Sequence, residues 1–145
     1  MILRILSLAG LVVMVAAVAL LFHAHALLGE SPLPLVIQAL SLGLMVWARV
    51  AFGKRSFHVA ANPTTGGVVS TGPYGFIRHP IYAAALYFTW AGILSHLSVA
   101  SVILGLCVIA GAAMRIVPEE KLVAQRYPEY AGYARRTKRI IPFLF

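Results

Sequence analysis

Four apolar stretches take up most of this chain and leave little room for a water-soluble fold: Ile5 to Leu28, Leu33 to Phe52, Ile81 to Leu94 and Leu97 to Val117. A helix that crosses a bilayer needs about 20 apolar residues, because every backbone polar group inside must be paired within the segment. The first, second and fourth stretches meet that length directly. The third is short, and it lengthens by borrowing Phe76 and Ile77 from the segment before it. The chain is 61% hydrophobic and 11% charged, against about 25% charged in a typical soluble domain. The expectation is therefore an all-α, polytopic membrane helical bundle, one domain over residues 1–145. It has four transmembrane helices at about 5–28, 33–52, 78–95 and 97–117, a loop between the second and third, and an amphipathic C-terminal tail. The link Ser95-His96-Leu97-Ser98 is so brief that the last two spans are expected to form a tight antiparallel hairpin.

Charge sets the expected orientation. Arg4 precedes the first span, Arg49, Lys54 and Arg55 follow the second, Arg78 precedes the third, and Arg115 with the basic tail follows the fourth. The opposite side carries Glu30 and no Lys or Arg. The positive-inside rule then puts both termini and the 53–80 loop in the cytoplasm. The formal net charge of +8 is read the same way, as topology signal and headgroup contact rather than nucleic-acid binding. Arg4, an apolar run and Ala24-His25-Ala26 imitate a secretory signal with its cleavage site, but the run is longer than a usual signal core, and a retained helix is expected. Cys107 lies in an apolar run and has no second cysteine to pair with. His23 and His25 have no third ligand nearby, so no metal site is expected.

Residues 72–82 read Gly-Pro-Tyr-Gly-Phe-Ile-Arg-His-Pro-Ile-Tyr, where a turn-rich loop meets the third span. Pro80 suits the first turn of a helix, since its missing N–H needs no partner there. Arg78 and His79 are then held at the bilayer surface, where a cationic pair costs free energy unless an anion meets it. A second polar set, Arg115, Glu119 and Glu120, leaves the fourth span, and the short hairpin brings the two sets together. His79 and Tyr82 lie three apart, Arg115 and Glu119 four apart, so each pair shares a helix face. Such a corner matches a zwitterion with an aromatic part: cations for a carboxylate, Glu119 for an ammonium. Mutual neutralisation of interfacial charges accounts for the same residues without a ligand. From Pro118 on, Glu119 to Arg126 reads as a separate helix, and Tyr127, Tyr130 and Tyr133 with the following basic residues suit a helix lying among headgroups. Ser101-x-x-x-Gly105 and Cys107-x-x-x-Gly111 read as small-residue pairs for close helix packing.

Gly72-Pro73-Tyr74-x-x-x-Arg78-His79-Pro80-x-Tyr82 resembles the signature of the isoprenylcysteine carboxyl methyltransferase and phospholipid methyltransferase superfamily. So do Arg115-x-x-x-Glu119-Glu120, Tyr127-x-Glu129-Tyr130-x-x-Tyr133 and the basic run ending in Ile141-Pro142, which together cover residues 66 to 142. Three ordered blocks are a far stronger signal than a lone Arg-His-Pro. The resemblance implies an integral membrane methyltransferase that uses S-adenosyl-L-methionine. It implies that Gly66, Gly67, Val68, Val69 and Tyr74 line the cofactor, that His79, Pro80 and Tyr82 contact it, and that Glu119 and Glu120 bind it. Arg78 joins that set or orients the loop, and Arg115 faces the substrate, so Arg115 and Glu119 are the expected catalytic pair. Ala84 stands where the family often has glycine.

The implied acceptor is a lipid or prenylated small molecule entering from the membrane. A carboxylate acceptor needs no base, whereas an amine must lose a proton; this favours O-methylation of an isoprenylcysteine-like carboxylate. N-methylation of a phospholipid headgroup such as phosphatidylethanolamine is the alternative, and a non-enzymatic bundle protein is the rival outside the superfamily. High Ala and Val content suits a prokaryotic inner membrane, and four spans leave scope for a dimer.

Overall fold

A computed structural model describes residues 1–53 and 67–144. Among these residues five α-helices follow in order: α1 (Ile2–His23), α2 (Pro32–Phe52), α3 (Pro80–Ser95), α4 (Val99–Arg126) and α5 (Tyr130–Arg136), with a 3₁₀ turn at Gly72–Gly75 before α3. The fold is the expected helical membrane bundle. α1, α2 and α4 are each long and apolar enough to span a bilayer, and α3 is a shorter apolar helix.

The helix ends depart from the expected spans for local reasons. α1 stops at His23, short of Leu28, because His25 takes a left-handed φ of 54°. The chain then doubles back, and Ala26 and Leu27 tuck under α3. The contact is so close that a Cβ on Gly92 would lie 2.0 Å from the Leu27 carbonyl oxygen. Gln38 of α2 fastens this turn, accepting from Gly29 N–H at 3.0 Å and donating to the Leu27 and Phe88 carbonyls at 2.8 and 3.1 Å. α3 begins at Pro80 and does not borrow Phe76 and Ile77, whose backbone pairs with the tail instead. α4 does not end at Val117. It continues through a buried Pro118 to Arg126, so the separate helix expected from Glu119 is a continuation of the fourth span. Its start is fixed by a reciprocal Ser98–Ser101 capping box.

The helices pair as α1 with α4 and α2 with α3. α3 and α4 do run antiparallel across a short link, yet they pack less extensively than expected of a tight hairpin. Side-chain size explains the difference. Gly10 and Gly111 let α1 and α4 touch backbone to backbone: a Cβ on Gly111 would lie 2.7 Å from the Gly10 carbonyl oxygen and 2.6 Å from Met14 Cγ. Between α3 and α4 stand Trp90 and Ile93, seated against Gly105. Both glycines marked by the small-residue pairs are thus used for packing. A core cluster of Ala17, Leu86, Val108 and Ala112 closes the middle of the bundle, with Tyr82 and Ile140 packed against it.

Helix length sets the depth of the polar residues. The 16 residues of α3 rise about 24 Å, less than the roughly 30 Å of hydrocarbon. Counted from the 96–98 link, the same rise along α4 reaches about Arg115. Tyr82 and Arg115 therefore sit level, within the apolar zone rather than above it.

Candidate active site

α3 delivers the first polar set. Pro80 at its first position and His79 at its N-cap place Arg78 and His79 at the helix mouth, with Tyr82 one turn in. α4 delivers the second, with Arg115 about one turn before the adjacent Glu119 and Glu120 on one continuous helix. The two sets meet as the sequence predicts. Tyr82 is the link: its hydroxyl donates to Glu119 at 2.5 Å and accepts from Arg115 Nε at 2.7 Å. Arg115 also pairs with Glu119 at 3.3 Å and donates to the Ser7 carbonyl of α1 at 3.2 Å. Its guanidinium lies over the Tyr82 ring, 5.8 Å from the centroid. Arg115 is only 6% exposed, so its charge is matched by protein groups, as a buried cation requires.

Glu120 forms a second knot just outside the apolar stretch. It accepts from Arg78 Nε at 2.9 Å, and His79 Nε2 lies 3.1 Å away. Arg139 completes it, donating from Nη2 and Nε at 3.0 and 3.1 Å. Burial works to raise the Glu120 carboxyl, but hydrogen bonds from His79, Arg139 and Arg78 outweigh it and hold the group well below the usual carboxylate range. Arg78 also donates to the Ala134 and Thr137 carbonyls, at 2.8 Å for the former. It thus orients the tail as much as the loop.

The remaining expected residues lie around this core. Pro80 is buried at the helix start. Gly66 lies outside the described residues. Gly67 adopts a positive φ of 81° that favours glycine, and a Cβ there would stand 3.7 Å from Glu129 Oε1. Val68 and Val69 are half-buried. Tyr74 is buried, stacks at 5.2 Å on Phe52, and its carbonyl accepts from the Tyr133 hydroxyl at 2.8 Å. Its phenol is pushed above the ordinary value by burial and then by Tyr133, with a smaller push from Glu119, against the pull of Arg49. Burial likewise pushes the Tyr133 phenol up to about 12, keeping it a neutral donor.

The tail corrects an expectation. Tyr130 and Tyr133 of α5 are buried rather than laid among headgroups, while Arg135 and Arg136 stay exposed. Tyr133 turns toward the Tyr74 loop, and the Tyr130 ring lies 6.0 Å from that of Tyr133. Two contributors escaped the sequence reading. Arg139 was one cation in a basic run, and the Ser7 carbonyl is a backbone group with no side-chain signature. Among the described residues, no group of three or more His, Cys, Asp or Glu is placed to hold a metal ion.

A site with an acidic Glu119, a phenol, a buried guanidinium and aromatic walls has the donor set to take a zwitterionic, aromatic cofactor such as S-adenosyl-L-methionine. Comparison with known proteins gives the same direction. Over 78 residues, 53% of this chain, it is 32% identical to the cobalt-zinc-cadmium resistance protein CzcN of Cupriavidus metallidurans. It is equally similar to the nickel-cobalt-cadmium resistance protein NccN of Alcaligenes xylosoxydans xylosoxydans. The matched segment spans 36% and 37% of those two relatives, about a third of each. No solved structure matches the chain significantly. The family model described as phospholipid methyltransferase matches residues 33–130, which include α2, α3, α4 and every charged residue of the first knot. On that match, the chain belongs to the phospholipid methyltransferase family, within the superfamily of integral membrane methyltransferases.

Proposed function

We propose that this protein transfers a methyl group from S-adenosyl-L-methionine to a lipidic acceptor held in the membrane, most plainly an isoprenylcysteine-like carboxylate. The observation that carries the reading is the Glu119–Tyr82–Arg115 chain at the depth where α3 begins. The cofactor supplies an electrophilic methyl on a sulfonium. Glu119 offers the anion for its ammonium, with the loop at Gly67 to Val69 and Tyr74 beside it. Arg115 and the Tyr82 hydroxyl orient the acceptor oxygen toward the methyl. The acceptor oxygen forms the new C–O bond as the C–S bond breaks, and the electron pair stays on sulfur. Alignment and exclusion of water supply the acceleration.

Engagement of both carboxylates supports an acceptor that needs no base. Glu120 is held by two guanidinium groups and the His79 ring, and Glu119 by Arg115 and Tyr82. N-methylation of a phospholipid headgroup is the second reading, favoured by the description of the matching family. A base-labile methylated product identifies the ester and a base-stable one the amine. We also infer that the basic end faces the cytoplasm of a prokaryotic inner membrane, in keeping with the charge asymmetry.

The deciding experiment is S-adenosyl-L-methionine binding to the full chain in lipid nanodiscs. Saturable binding is expected in the wild type and at least about a tenfold loss in Glu119→Gln, the scale of a charge-assisted bond. Absence of binding by folded wild type would refute the reading.

A further inference from the structure

Glu120 stands next to the acid proposed to meet the cofactor, yet its surroundings are of another kind. Its carboxylate accepts from Arg78 Nε, Arg139 Nε and Arg139 Nη2 and contacts His79 Nε2. A carboxylate has about four lone-pair sites, so this one has none left for a ligand ammonium. The partners come from opposite parts of the chain. Arg78 and His79 immediately precede α3, whereas Arg139 follows α5. Between them the backbone runs in parallel register: Arg78 N–H donates to Lys138 O at 2.6 Å, His79 N–H to Arg139 O at 3.0 Å, and Lys138 N–H to Phe76 O at 3.2 Å. Beyond Arg139, the Ile140 carbonyl accepts from Tyr87 at 2.8 Å, and the Ile140 side chain packs against the core cluster beside Tyr82. Residues 137–140 are thus a strap laid across the mouth of α3 and bolted to α4 through one carboxylate.

We propose that Arg139 and Glu120 are positioning residues, which fasten this strap and so fix His79 and the start of α3 relative to Glu119. They act through their neighbours, and Glu119 alone of the acidic pair meets the ligand. The assignment rests on the methyltransferase reading for its choice of probe.

The test uses the full chain in nanodiscs with S-adenosyl-L-methionine as the probe, beside amide hydrogen exchange on the same samples. Arg139→Gln is expected to weaken binding about tenfold, and Arg139→Lys, which keeps the charge and one bond, to stay within about threefold of wild type. In a Glu120→Gln background, Arg139→Gln is expected to add nothing, the mark of two residues acting as one. Exchange at the Arg78, His79 and Lys138 amides should rise in Arg139→Gln while the middles of α1 and α4 stay protected, which separates a loosened strap from a misfolded bundle. Arg136→Gln, which removes an exposed neighbouring charge, is expected to bind as wild type. Unchanged binding in Arg139→Gln, equal losses in both backgrounds, or the same loss in Arg136→Gln overturns the proposal. If wild type fails to bind the cofactor, only the methyltransferase reading falls. The three amides then decide the strap, and unchanged exchange overturns it.

Discussion

One hydroxyl joins the two charges at the centre of this site. Tyr82 donates to Glu119 and accepts from Arg115, so it sets their separation and satisfies both where little water reaches. Tyr82→Phe keeps the ring and the direct Arg115–Glu119 contact, so the bundle should still fold. It leaves two charged groups each one bond short, at a cost of about 1.5–3 kcal/mol. Thermal unfolding in detergent is expected to show that loss together with weaker cofactor binding. Glu120 yields a prediction in pH. Its carboxyl is depressed in the folded protein, so its contribution to stability is complete above the unfolded value of about 4.3. That contribution is lost only as pH falls through the lower folded value. In a His79→Gln background, where Arg78 and Arg139 still hold the carboxylate, the stability gap to Glu120→Gln should hold steady down to about pH 5 and close only in stronger acid. A gap that closes near neutrality would show that the carboxylate is not held as described.

Among the elements, the α1–α4 contact governs the geometry of Arg115. Gly111 lies one turn before it and touches the α1 backbone. Gly111→Ala forces the helices apart and is expected to cost about 1–3 kcal/mol, loosening the Ser7–Arg115 bond with it. Gly43→Ala on α2 meets nothing within 4 Å and should be neutral, or stabilise by up to about 1 kcal/mol through helix propensity. Unfolding in mixed micelles separates the two. The existence of these helices was legible, because apolar stretches of span length have few other fates. Both ends of α2 and the Pro80 start of α3 were legible too, but the C-terminal ends of α1 and α4 were not. Pro118 marks a stop in most helices, but here it is buried within α4 and the helix runs on to Arg126. The polar set His79, Tyr82, Arg115 and Glu119 was legible from spacing, since the members of each pair lie about one helical turn apart. Arg139 was not, because a cation that pairs across 19 residues reads locally like any topology charge. Tyr130 and Tyr133 misled for a related reason: interfacial and buried tyrosines share one spacing, and only the Tyr74 loop decides between them.

On the scale of the whole molecule, two helix pairs meet around an apolar core, and the polar set lies where α3 stops short. α4 has 28 residues to the 16 of α3, so the first is anchored through both surfaces while the second ends inside. On the proposed reading, this difference in length makes the site sensitive to bilayer thickness. In a thin membrane the mouth of α3 emerges into the headgroups, and in a thick one it sinks beneath the reach of a water-soluble cofactor, each shift costing fractions of a kcal/mol per Å. Reconstitution in lipids of graded acyl-chain length should accordingly give a methylation rate with an optimum at one thickness and a fall on either side. A flat profile would mean that α3 adjusts by tilting. On the proposed reading, an enzyme of this build would couple its rate to the thickness of the membrane that holds its acceptor.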